Sequence, residues 1–162
     1  MIRLAFDLGT YCGVAWSNDE GDMYKYKLLD LSSKRHEGGG MRYLKFKQFL
    51  SAFKPIPDVV YYELVARHLG TEAAHVYGGL RAVLMAWCEE NNIPYTGIPV
   101  GTIKKHATGK GNANKDMMIE AAREEFGYDG NSHDEADALW ILDTGNSGLR
   151  NTGRRVNDDD EN

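Results

Sequence analysis

The sequence predicts an α/β fold: a mixed five-stranded sheet, an antiparallel meander extended by parallel strands, flanked by helices. Three observations predict it. Three strand-like runs open the chain, two more follow, and each of those two is preceded by a stretch with helical spacing, as crossovers between parallel neighbours require. The 162 residues, 42% of them hydrophobic, suffice for one domain with a real core. That domain is expected over residues 1–148, with 149–162 a polar, disordered tail.

Taken in order, Ile2, Leu4 and Phe6 alternate with Arg3, Ala5 and Asp7, the pattern of a first strand. Gly9 and Gly13 bracket a tight turn, Gly13–Trp16 reads as a second strand, and Met23–Asp30 as a third. Gly38–Gly40 leads into a helix whose Phe46, Phe49, Leu50 and Phe53 share helical spacing, until Pro55 and Pro57 stop it. Asp58–Glu63, β-branched and aromatic, is a buried strand ending in an acid. A long helix over Thr71–Glu90 carries Ala74, Tyr77, Leu80, Leu84 and Trp87, and its paired Gly78 and Gly79 suggest close approach by another backbone. Asn92–Gly97 is the fifth strand, and a basic loop follows. A helix from about Ala113 to Phe126 has Asn112 as a candidate cap and Gly127 as its stop. The final helix begins at Ser132, where Glu135 three residues on completes a capping-box pattern.

Several classes are disfavoured. No run reaches the roughly 18 apolar residues of a membrane span, and Met1–Asp7 enters a strand pattern rather than a signal-peptide layout. Cys12 and Cys88 are too few for a disulfide framework and read as core thiols in a reducing, cytoplasmic compartment. His36, His68, His75 and His106 lack the mutual spacing of a zinc site, and Trp16, Trp87 and Trp140 read as core. A net charge of −5 argues mildly against a polyanionic partner, but the charge is unevenly spread. Lys104, Lys105, Lys110 and Lys115 share a stretch without acids; Lys34, Arg35, Arg42, Lys45, Lys47 and Lys54 face only Glu37 along the chain. Arg150–Arg155 and the acidic Asp158–Glu161 read as solvated tail.

Asp7 and Glu63 end the first and fourth strands. If those strands are parallel neighbours, both acids emerge at one edge of the sheet, where α/β sheets place their sites. Asp134 and Asp137, three residues apart, share one helical face. Acids in a first turn also simply complement the helix dipole. Brought together, four carboxylates repel one another unless cations intervene, and hard oxygen-seeking Mg²⁺ or Mn²⁺ would relieve that repulsion. Two such ions about 4 Å apart can promote phosphodiester hydrolysis.

Phe6-Asp7-Leu8-Gly9-Thr10, Tyr61-Tyr62-Glu63, the Lys104–Lys115 stretch and His133-Asp134-Glu135-Ala136-Asp137-Ala138-Leu139 occur in an order and spacing that resembles RuvC-type Holliday-junction resolvases, in particular compact bacteriophage-encoded forms. The resemblance covers roughly residues 1 to 145, and it implies a ribonuclease-H-like fold. It also implies a crossover junction endodeoxyribonuclease with metal-binding carboxylates at Asp7, Glu63, Asp134 and Asp137. On it, two Mg²⁺ or Mn²⁺ ions serve one site and cleavage leaves 5′-phosphate and 3′-hydroxyl ends; the central position of its strand suggests Asp7 as the residue that bridges the ions. Lys105 and Lys115 match lysines that approach DNA, with Lys104 and Lys110 as further DNA-binding candidates; His133 is either a minor participant or a first-turn residue. Branched DNA is the implied substrate, in recombination and repair. A homodimer is the implied assembly, since two symmetric nicks suit a two-fold axis. The Thr71–Glu90 helix, with its glycine pair and its Tyr77, Leu80, Leu84 and Trp87 stripe, is its candidate interface, or else an ordinary core helix.

The sequence departs from the family after Glu63, where cellular members have a glutamine and an aromatic that enters the junction; here Leu64–Leu69 follow, with Arg67 and His68 as candidates for part of that role. Three other readings compete. Asp7-Leu8-Gly9-Thr10 resembles the phosphate turn of actin-like ATPases, which need two such halves. A non-catalytic branched-DNA-binding module would have no reason to keep four acids. A related nuclease acting on flaps, forks or RNA–DNA hybrids would use the same acids.

Overall fold

In the structure, a computed structural model, residues 1–18 and 23–152 are described. The strands are β1 (Arg3–Asp7), β2 (Tyr11–Ser17), β3 (Lys25–Asp30), β4 (Val59–Leu64) and β5 (Tyr95–Pro99); the helices are α1 (Met41–Ala52), α2 (Thr71–Glu90), α3 (Val100–Thr108), α4 (Lys115–Phe126) and α5 (His133–Thr152). They build one five-stranded sheet in the order β3-β2-β1-β4-β5. β1–β2 and β2–β3 pair antiparallel, β1–β4 and β4–β5 parallel, so β1 sits at the centre.

The two-residue period of the strands sorts their side chains onto two faces. Leu4, Phe6, Val14, Val60 and Tyr62 point to one core, closed by α1 and α2. Ala5, Ala15, Val59 and Tyr61 point to the other, closed by α3, α4 and α5. The second face is built from smaller side chains, which lets α5 lie close over β1 and β2. At Gly13 the approach is closest: a Cβ there would stand 1.9 Å from the carbonyl oxygen of Asp134. The same device recurs lower on α5, where Gly145 lies against the Tyr61 ring. Trp87 and Trp140 are buried, as are both cysteines, while Trp16 is half-buried against Phe53.

Several expectations are corrected. Val100–Thr108 is a helix rather than a basic loop: Ile103 anchors it in the core and Gly109, at φ 79°, ends it in the left-handed region. α4 is capped by Asn114, whose side chain accepts from the Met117 N–H, and not by Asn112. β5 lies at Tyr95–Pro99, further along than Asn92–Gly97, because Ile93 instead packs into the first core. The glycine pair in α2 does not meet another backbone: Gly79 accommodates the Tyr43 ring and Gly78 faces open space. Tyr77, Leu80, Leu84 and Trp87 are all buried within the chain, so that stripe is spent on its own core and is not an exposed interface. α5 runs on to Thr152. The Arg150–Arg155 side chains and Asp158–Glu161 lie outside what the structure describes.

Candidate active site

Asp7 continues the face set by Arg3 and Ala5, and Glu63 the face set by Val59 and Tyr61, so both carboxylates project toward α5. The β1–β4 ladder is parallel through Phe6↔Tyr62, which brings Asp7 and Glu63 out at the same end of adjacent strands. Across the antiparallel pair, the residue opposite Asp7 is Gly13. Its missing side chain is the space that the first turn of α5 fills, and that turn carries Asp134, with Asp137 three residues on.

The turn itself is held by a small network. Ser132 Oγ accepts from the Glu135 N–H (3.2 Å), the helix-capping half of the expected box. The reciprocal half is indirect: the Ser132 N–H donates to the Tyr128 hydroxyl (2.8 Å), which stands 3.1 Å from Glu135 Oε1. Tyr128 was not foreseen; an isolated tyrosine ahead of a capping box gives no periodic signal.

The four carboxylates converge. Asp7 hydrogen-bonds with Asp134 and with Glu63, and it feels the charges of Glu63, Asp137 and Asp134. Buried among these groups, Asp7 is disfavoured in its charged form. Its pKa is raised well above the ordinary value by loss of water, then by its three acidic neighbours. Burial also raises Glu63. Asp137 is pushed up to about 7 by burial and by Glu63 and Asp134, against the pull of Lys115 and Lys104. Lys104, from α3, acts on Glu63 as well. Lys104 and Lys115 act on the charges of the cluster; Lys105, Lys110 and Lys115 are all exposed. His133 opens α5 beside Asp134, and its Nδ1 is buried without a hydrogen-bond partner.

Other sequence candidates lie elsewhere. Arg67 is exposed and His68 half-buried, both in the loop after β4, with the His68 ring 4.8 Å from that of Tyr77. His106 pairs with Asp143 at 2.7 Å. The Lys34–Lys54 segment is partly neutralised locally, since Lys34 pairs with Asp30 (2.9 Å) and Lys45 with Glu37 (2.6 Å).

The donor set fits hard divalent cations: oxygen ligands brought together by β1, β4 and α5, with Asp7 and Asp137 disfavoured in their charged forms by burial and by acidic neighbours. Among the described residues no three such side chains stand ready-opened as a coordination shell; Asp7 instead turns its carboxyl onto Asp134 and Glu63.

No protein-family model and no curated protein sequence matches the chain. Solved structures do. A Thermus thermophilus RuvC in complex with Holliday junction substrate superposes with a TM-score of 0.72 at 22% identity, covering 93% of this chain and 95% of that one. The chain has the RuvC fold. A second Thermus thermophilus RuvC structure gives a TM-score of 0.70 at 21% identity, over 93% and 96% of the two chains. The yeast mitochondrial Holliday junction resolvase Ydc2 gives 0.58 at 17% identity, over 88% of this chain and 76% of that one. This is the ribonuclease-H-like sheet expected from the sequence, with its antiparallel meander and parallel extension.

Proposed function

We propose that the protein is a metal-dependent endonuclease that nicks branched DNA, four-way junctions above all, leaving 5′-phosphate and 3′-hydroxyl ends. The observation that carries the proposal is the convergence of Asp7, Glu63, Asp134 and Asp137 at one end of the central strands, with Lys104 and Lys115 bearing on them. The fold shared with RuvC, one example of which is solved with Holliday junction substrate, supports the choice of DNA.

The four carboxylates would hold two Mg²⁺ or Mn²⁺ ions. When bound, such ions lower the cost of activating a water and of expelling the 3′ oxygen. The protein supplies the rest. β1 and β4 fix the backbones of Asp7 and Glu63 on rigid strands, and α5 carries Asp134 and Asp137 one turn apart, so the acids are gathered at one place and their carboxyls would turn to meet the ions. Lys104 and Lys115 would meet phosphate oxygens next to the scissile bond and offset charge that builds there. The N-terminus of α5 faces the same space and favours anions through its dipole. Two nicks across a four-way junction call for two such sites, and we assign them to a homodimer.

One nicking assay tests this reading. A four-way junction, a flap, a fork, an RNA–DNA hybrid and plain duplex are compared with and without Mg²⁺ or Mn²⁺. Metal-dependent nicking with the junction preferred supports it. Preference for flaps, forks or hybrids would move the substrate class, junction binding without nicking would point to a non-catalytic module, and no nicking of any substrate would reject the nuclease.

A further inference from the structure

Glu63 stands where β4 is about to leave the sheet. The parallel ladder with β1 ends at Phe6↔Tyr62, so Glu63 has no β1 partner on that side, while on the other side β4 stays paired with β5 through Glu63↔Ile98 and Leu64↔Pro99. A strand end frays unless something takes up its backbone groups, and a frayed end would not hold a carboxylate in place. The structure supplies a substitute from α2. The Tyr77 hydroxyl donates to the Glu63 carbonyl oxygen (2.8 Å) and accepts from the Val65 N–H (3.2 Å). A carbonyl at one residue and an N–H two residues on are the pair that a single residue of a neighbouring parallel strand engages. One phenolic oxygen thus does for this turn what a sixth strand would do.

Tyr77 is itself well fixed. It is buried in the first core, on the second turn of a helix that also seats Val76 and Leu80 there. The His68 ring covers it at 4.8 Å, tying the same loop to the same phenol a second time. The segment from Glu63 to the start of α2 is therefore closed on itself through Tyr77 rather than left as a free excursion.

We infer that Tyr77 is a positioning residue for the site: by bridging the Glu63 carbonyl and the Val65 N–H, it holds the Glu63 carboxylate toward Asp7. This rests on the proposed metal-dependent role of the acids. In this role Tyr77 acts through the backbone at Glu63 and Val65 and not as a ligand.

Tyr77→Phe removes the hydroxyl and keeps the ring against His68. Leu84→Val, in the same helix, serves as the control for a merely loosened core. In the full chain, Mn²⁺ affinity is read by calorimetry and Val65 amide exchange by NMR. Tyr77→Phe is expected to bind Mn²⁺ about 10-fold more weakly, the usual scale for losing a group that orients a metal ligand, and to exchange the Val65 amide at least about 10-fold faster. Leu84→Val is expected to change neither. Unchanged Mn²⁺ affinity in Tyr77→Phe, or an equal loss in Leu84→Val, overturns the inference. A wild-type protein that binds no Mn²⁺ overturns the proposed function instead. Val65 exchange alone then decides on the clamp: faster in Tyr77→Phe upholds it, unchanged overturns it.

Discussion

The two ends of β1 are built to opposite rules. At its start the sheet is sealed: the Ile2 N–H donates to Asp58 Oδ2 (2.7 Å), the Asp58 N–H returns to the Ile2 carbonyl (2.8 Å), and Arg3 pairs in register with Ser17. Beside it, Trp16 and Phe53 meet edge to face at 5.8 Å, and Lys27 lies 5.9 Å above the Phe49 ring. Four residues along the same strand, Asp7 faces three further acids, and burial together with their charges holds its pKa well above the usual carboxylate range. The first end is closed by backbone pairing and ring packing. The other opposes folding whenever its carboxyls ionise without a cation, and the rest of the domain carries that cost. Such a local conflict marks a site.

The largest way to break the contrast is Asp7→Asn. The amide can still donate to Asp134 or Glu63 but cannot serve a cation as a carboxylate does. Nicking is expected to fall about 1,000-fold, the equivalent of roughly 4 kcal/mol of lost charge stabilisation. Junction binding should persist, and gel-shift and cleavage assays on one preparation separate the two.

Next comes Gly13→Ala. A methyl group would meet the Asp134 carbonyl at 1.9 Å, so the first turn of α5 must move away from Asp7. Overpacking of this kind costs about 1–3 kcal/mol, and nicking should drop by at least about 10-fold because the acids are drawn apart. Thermal melts and single-turnover rates check the two effects.

A smaller effect is the pH dependence of the metal-free protein. Asp137 is raised from 3.8 to about 7, and Asp7 and Glu63 are raised as well. Between those values the folded chain keeps a proton that the unfolded chain has lost, so stability is fullest below about 4 and declines as pH climbs through 7. Denaturant melts in chelator should show that decline, and Asp137→Asn should flatten it. Smallest of all, Phe53→Leu at the sealed end should cost about 1 kcal/mol through the lost aromatic pair, with the nicking rate unchanged.

Much of this plan was legible in the sequence, for identifiable reasons. Alternation in Ile2–Asp7 and the β-branched Asp58–Glu63 run fixed two strands and showed that each ends in an acid. The capping box at Ser132 placed Asp134 and Asp137 in a first turn. What joins those pieces was not legible. Gly13 reads as a turn residue, and only the register with Asp7 shows that its role is to admit α5. The choice between Lys104 and Lys105 depends on helical phase in α3, a segment whose lysines and glycines read as loop. Tyr77 sits in an apolar stripe where its hydroxyl carries no periodic signal, so its bond to Glu63 could be found only in the folded chain.

The most direct test of the account is a melting series at pH 8 in rising Mg²⁺ or Mn²⁺, run on the wild type and on Asp7→Asn. Ligand that binds only the folded state stabilises it by about 2.7 kcal/mol at a hundred times its dissociation constant. The acid cluster predicts a saturable rise in the wild-type melting temperature and little or none in the variant. A wild type indifferent to divalent cations, or a variant that responds equally, would contradict it.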